Sequence, residues 1–122
     1  MKDIKFKVWD KVRQKMFKLQ AISFDIQTLA QFAVSVPGRS WEPAEKFELL
    51  PWIGLSDSKG NDVYEGDFLK ISSTIYQVIW NKSIAGFELV ELGSSLNRNI
   101  CDVEMGDIVG NLYQNGLSVT AP

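Results

Sequence analysis

Apolar and polar positions alternate along much of this chain, and the period is that of strands rather than helices. Ile4, Phe6 and Val8 are separated by Lys5 and Lys7, which places the apolar side chains on one face of an extended segment. Lys15-Met16-Phe17-Lys18-Leu19 follows a loop over residues 10–14, so residues 4–19 are predicted to form a β-hairpin. Phe47-Glu48-Leu49-Leu50 reads as a strand that ends at Pro51. Beyond it the punctuation is close. Ser58-Lys59-Gly60-Asn61 is a turn and Asp62-Val63-Tyr64 a short strand, then Glu65-Gly66-Asp67 a turn and Phe68-Leu69-Lys70-Ile71 a strand. Residues 75–80 are predicted to pair with residues 86–90, and residues 93–99 to form a polar loop. Residues 107–113 make a final strand with Gly110 inside it, as at a bend or bulge. Short strands at this spacing suggest a small barrel.

Residues 22–50 support two periods. Ile26, Leu29, Ala30 and Ala33 fall at i, i+3, i+4 and i+7 behind a capping Asp25, which predicts a short helix. Ile22, Phe24 and Ile26 alternate as a strand would. The helix is the expectation taken. Pro37-Gly38-Arg39-Ser40 and Glu42-Pro43 flank Trp41, and residues 37–46 are predicted as loop.

One phrase recurs. Glu65-Gly66-Asp67 precedes Phe68-Leu69, and Gly106-Asp107 precedes Ile108-Val109. Glycine reaches backbone angles closed to other residues and aspartate bonds its own nearby backbone, so the pair suits a turn that opens a strand. Tyr64, Glu65, Gly66, Asp67, Gly106, Asp107, Gly110 and Asn111 are therefore read as an architectural motif.

Composition removes most chemistry. The 122 residues are 45% apolar and include no histidine, which excludes Ser-His and Cys-His nucleophiles and imidazole-ligated zinc. Cys101 is the single cysteine, so neither an internal disulfide nor four-thiolate zinc can form. Beside Asp102 and Glu104 it reads as a buried or inert thiol. Asp57, Asp62, Glu65 and Asp67 invite comparison with a calcium loop, but Lys59 and Phe68 stand where the third and twelfth ligands belong. Turn chemistry accounts for these acids without a metal. A non-enzyme with no catalytic residues, no metal and no cofactor is expected. No apolar run approaches the ~20 residues of a membrane span, and the first residues lack a signal peptide's apolar stretch. The expected setting is cytoplasmic, without membrane contact.

Charge and aromatic residues suggest partners instead. Residues 1–18 carry seven lysines and arginines against two aspartates, while the rest is acidic. Lys5, Lys7, Lys11 and Arg13 could contact nucleic acid, or could form the solvated face of the hairpin. Trp9, Trp41, Trp52, Trp80, Tyr64, Tyr76 and Tyr113 could stack on single strands, but only Trp9 lies in the basic segment. The others are read as core or subunit contacts. Trp41 and Trp52, flanking a proline-bearing loop, are the candidate partner contacts, and at least one tryptophan is expected to be exposed.

Ile4-Lys5-Phe6-Lys7-Val8-Trp9-Asp10 with Lys15-Met16, the block from Trp52 to Asp67, Val78-Ile79-Trp80-Asn81 with Ala85-Gly86-Phe87, and Val109 to Asn115 occur in that order. Together they resemble the signature blocks of the YopX family of phage and prophage proteins. Residues 20–50 carry no part of the likeness, and Pro51 and Gly116 depart from the family pattern. The resemblance implies a phage-associated protein and a compact β-roll related to SH3-like barrels; it implies no activity. The expected fold is mainly β: a small SH3-like barrel or roll with an N-terminal β-hairpin and one short helix. It is read as one domain over residues 1–122, with a hairpin and variable segment at 1–50 and a β-roll core at 51–122. The expected function is an accessory module binding itself, or a phage or host protein, in the bacterial host cell. The alternative is nucleic-acid binding through the basic hairpin.

Overall fold

The computed structural model describes residues 4–24 and 31–115. The chain is mainly β and divides between Pro51 and Trp52 into two compact units. No helix is long and apolar enough to cross a membrane among the described residues.

In the first unit, β1 (Phe6–Asp10) and β2 (Lys15–Lys18) form the predicted hairpin, closed by the pair Asp10 and Lys15. Both faces of β1 are covered at its end, since Val8 is fully buried and Trp9 only 7% exposed. A second sheet contains β3 (Ala21–Phe24), β4 (Gln31–Ser35) and β5 (Glu42–Pro43). It corrects two expectations. Ala33 lies in a strand, paired with Ser23 on one side and Pro43 on the other; Asp25, Ile26, Leu29 and Ala30 fall outside the described residues. The span 37–46 is not all loop, because β5 is followed by a 3₁₀ helix at Ala44–Lys46. Val8, Val34, Val36, Ala44 and Phe47 form the core, flanked by Phe17, Leu19, Ile22 and Leu49.

Strand β6 (Phe47–Ser56) does not stop at Pro51. Its first half pairs with β1 as far as Phe6 opposite Pro51, and from Trp52 onward it pairs with β7 (Asp62–Tyr64). The proline stands where the ladder changes partner, the place in a strand where a missing N–H matters least.

The second unit holds a curled, half-barrel sheet. Its strands are β8 (Asp67–Ile71), β9 (Thr74–Asn81), β10 (Gly86–Glu91), β11 (Asn97–Arg98) and β12 (Asp107–Asn111), in the order β11-β10-β9-β8-β12. The predicted pairing of residues 75–80 with 86–90 is present. Val63, Leu69, Ile71, Val78, Leu89 and Val103 make its buried core. A 3₁₀ helix at Ile100–Met105, which the sequence reading missed, is capped by Asn99, whose side chain accepts from Cys101 N–H. The strand expected to reach Tyr113 ends at Asn111, and Leu112–Asn115 form one helical turn, α1. Opposite β8 the register shifts between Ile108 and Gly110, so the bulge expected near Gly110 is present, with Val109 as the extra, exposed residue.

Among the described residues, three turns hold left-handed residues that are not glycine: Gln14 at φ 57°, Ser72 at φ 55° and Ala85 at φ 50°.

Candidate functional site

The architectural motif closes on itself through β12. At the strand's tail, Asp67 is buried, and its Oδ2 accepts the Tyr64 N–H at 2.8 Å while Oδ1 accepts the Asn111 side-chain amide at 3.0 Å. Asn111 Oδ1 in turn accepts Tyr113 N–H at 2.8 Å, and Leu112 N–H donates to Gly66 O at 2.9 Å. Gly66 N–H donates to Val78 O at 3.0 Å, which fixes the turn onto β9. Gly66 has φ +89°, and a Cβ there would lie 3.4 Å from the Tyr113 ring. The pair Asn111 and Tyr113 is thus folded over the glycine.

The head of β12 is held by the preceding turn. Asp57 Oδ1 accepts Lys59 and Asn61 N–H at 3.0 and 2.9 Å, and Oδ2 accepts Ile108 N–H at 3.1 Å and the Asn61 amide at 3.3 Å. Ser58 N–H donates to Gly106 O at 2.9 Å and its hydroxyl to Asp107. Burial pushes the Asp57 carboxyl up, but the donors of Asn61, Ile108 and Lys59 outweigh it and hold the pKa below the ordinary value. Each carboxylate is occupied by backbone donors, the condition of a structural tie. Among the described residues, no three His, Cys, Asp or Glu side chains converge as a metal set would.

The basic candidates separate. Arg13 Nη2 and Nη1 donate to Glu42 at 2.9 and 3.2 Å, and Nη1 also donates to Asp10 Oδ2 at 2.7 Å. Asp10, fully buried, further accepts Val12 and Arg13 N–H. Its burial raises the pKa, and the Arg13 and Val12 donors bring it below normal. Glu42, with Asp10, keeps Arg13 charged. Lys11 lies 3.6 Å from Glu48. Lys5 is exposed and Lys7 half-buried.

The candidate partner contacts also part company. Trp41 is 55% exposed, as expected of at least one tryptophan. Trp52 is half-buried, and its indole N–H donates to Leu55 O at 3.0 Å across the register shift between β6 and β7, an evident structural duty. Cys101 is exposed, which removes the buried alternative of the expected buried or inert thiol.

A surface that the sequence reading did not single out lies at the end of β9 and β10. Trp80, 48% exposed, stacks edge-on against Phe87 with ring centres 5.1 Å apart. They are directly opposed in the ladder and continue the row begun by the buried pair Val78 and Leu89. Phe87 and Ile84, itself 59% exposed, line an open pocket of about 320 Å³ with Glu88, Asn97, Arg98, Asn99 and Ile100. Arg98 Nε donates to Asp102 at 2.7 Å, and its guanidinium sits 5.8 Å from the centre of the Tyr76 ring. Trp80 was legible as an aromatic, but its exposure depends on where the core ends along the strand.

The tail clasp joins the segment Trp52–Asp67 to the segment Val109–Asn115, and the head clasp joins it to Gly106, Asp107 and Ile108. The family model described as YopX protein matches residues 5–117. The chain belongs to the YopX family. The segments joined by the tail clasp are the central and closing blocks of its YopX resemblance. Among solved structures, this YopX chain is similar to protein EF1440 from Enterococcus faecalis, with a TM-score of 0.68 and 19% identity over 94% of this chain and 96% of that one. At that identity the likeness concerns the fold alone. No curated protein matches the YopX chain.

Proposed function

We propose that the chain is a phage- or prophage-associated accessory module that acts in the host cytoplasm by binding protein, another copy or a phage or host partner, and not by catalysis. The observation that carries this reading is the apolar ledge of Trp80, Ile84 and Phe87 beside the open pocket. Exposed aromatic and aliphatic side chains gathered at one place are a feature of interaction surfaces. The buried carboxylates Asp10, Asp57 and Asp67 serve turns, which supports a non-catalytic role. The half-barrel sheet is taken as an SH3-like roll, a scaffold suited to presenting such a surface. Nucleic-acid binding has less support, since Lys11 and Arg13 are matched by Glu48, Glu42 and Asp10.

Crosslinked capture from phage-infected cells, with and without nuclease, tests the proposal. A retained protein that resists nuclease and is lost in the double variant Trp80→Ser/Ile84→Ser is the expected result. Retention that disappears with nuclease would instead promote the nucleic-acid reading.

A further inference from the structure

The sheet edge beside the pocket is interrupted. β11 pairs only with Leu89 and Val90 of β10, after which the chain passes Asn99 and enters the 3₁₀ helix. Among the described residues no strand lies against Gly86–Glu88 on that side. The ladder shows which way the backbone points there. Leu92 N–H donates to Ile75 O on the β9 side, and Glu91 N–H to Leu96 O on the other. Backbone groups alternate sides along a strand, so those of Leu89 and Phe87 point the same way as those of Glu91. The N–H and C=O of Phe87 therefore face the gap.

The pocket fills that gap. Ile84, Phe87 and Ile100 give it an apolar lining. Among the described residues the Glu88 carboxylate at its side accepts only from neutral amides, Asn81 at 2.8 Å and Asn97 at 3.1 Å. No described lysine or arginine pairs with it, whereas the charge of Arg98 is matched by Asp102.

We propose that the gap receives an extended segment of a partner protein, added as a strand against β10, with an apolar residue beside Phe87 and a lysine or arginine beside Glu88. This rests on the protein-binding reading above and names the chemistry of the partner. Outward backbone groups at a strand edge are satisfied by another extended backbone. A carboxylate held by neutral amides selects a cation. Opposed residues of adjacent strands share a face and successive residues change face, so Phe87 and Glu88 together select a sequence in which apolar and basic residues alternate.

The test is an NMR titration of the isotope-labelled full chain with blocked hexapeptides of three kinds. One alternates isoleucine and lysine, the second alternates isoleucine and glutamate, and the third is the lysine peptide N-methylated at every second amide, made in both phases. The lysine peptide should shift the Phe87 amide and slow its exchange, bind about tenfold tighter than the glutamate peptide, and lose binding in one N-methylation phase. Glu88→Lys should invert the preference, and Glu88→Gln should erase it. Equal binding of the two charge types, indifference to N-methylation, or no response at Phe87 overturns strand addition. If nuclease-resistant capture still depends on Trp80 and Ile84 in that case, the protein-binding reading stands without this mode; if it does not, both fall.

Discussion

At the tail of β12 a glycine is needed for its backbone angle, and at the head a glycine is needed for its missing side chain. Gly66 has φ +89°, with the nearest atom to an added Cβ at an ordinary 3.4 Å. Gly106 is extended at φ −119°, but a Cβ there would meet Ile71 Cγ1 at 2.7 Å and the Lys70 carbonyl oxygen at 2.9 Å. The aspartates differ in parallel. Asp67 is buried and accepts from the Tyr64 N–H and the Asn111 amide, while Asp107 is half-exposed and accepts from the Ser58 hydroxyl. The same dipeptide, placed before the same kind of apolar pair, therefore answers two physical requirements. Recurrence in a sequence shows that a position is constrained without showing by what.

Substitution should separate the two requirements, with denaturant midpoints as the measure. Gly106→Ala should cost most, about 3 kcal/mol, because the Lys70 carbonyl belongs to the residue paired with Asp107 and cannot withdraw without breaking the ladder. Asp67→Ala follows at about 2 kcal/mol, since the Tyr64 N–H and the Asn111 amide would be left buried without that acceptor. Gly66→Ala should cost about 1 kcal/mol from the left-handed angle alone. A larger loss at Gly66 than at Gly106 would break the comparison.

Acid offers a gentler probe of the head clasp. Asp57 and Asp10 have folded pKa values below the ordinary 3.8, so the stability they confer is complete above that value and is lost as pH falls through the lowered one. Titration of stability from neutrality downward should be flat until about pH 4 and then fall. In Asp57→Asn part of that fall should disappear; an unchanged acid limb would mean that its donors do not favour the charged form.

What was legible in the sequence was local. The turn at Gly66-Asp67, the pairing of residues 75–80 with 86–90 and the irregularity near Gly110 each depend on residues a few positions apart. Ala33 was misread because apolar spacing there fits a helix, and only partners distant in sequence, Ser23 and Pro43, settle it as a strand. The continuation of β6 past Pro51 depends on an exchange of ladder partners that no local pattern records. The 3₁₀ helix at Ile100–Met105 did leave a trace, an Asn99 cap with Asp102 in its first turn. Of the two candidate contacts, Trp41 is the exposed one, which meets the expectation that at least one tryptophan would be, but nothing in the sequence separates it from Trp52. The ledge at Trp80 escaped notice because strand alternation names a face and not the point along it where the core stops.

The left-handed residues Gln14, Ser72 and Ala85 leave the chain with headroom for engineering. Each carries a side chain at an angle costing about 1 kcal/mol, and glycine would relieve it only by freeing the unfolded chain to a similar extent. Asparagine tolerates the angle without that entropic penalty. Ser72→Asn and Gln14→Asn should therefore each raise stability by about 0.5 kcal/mol, the smallest change expected here and one that calorimetry of the double variant can resolve.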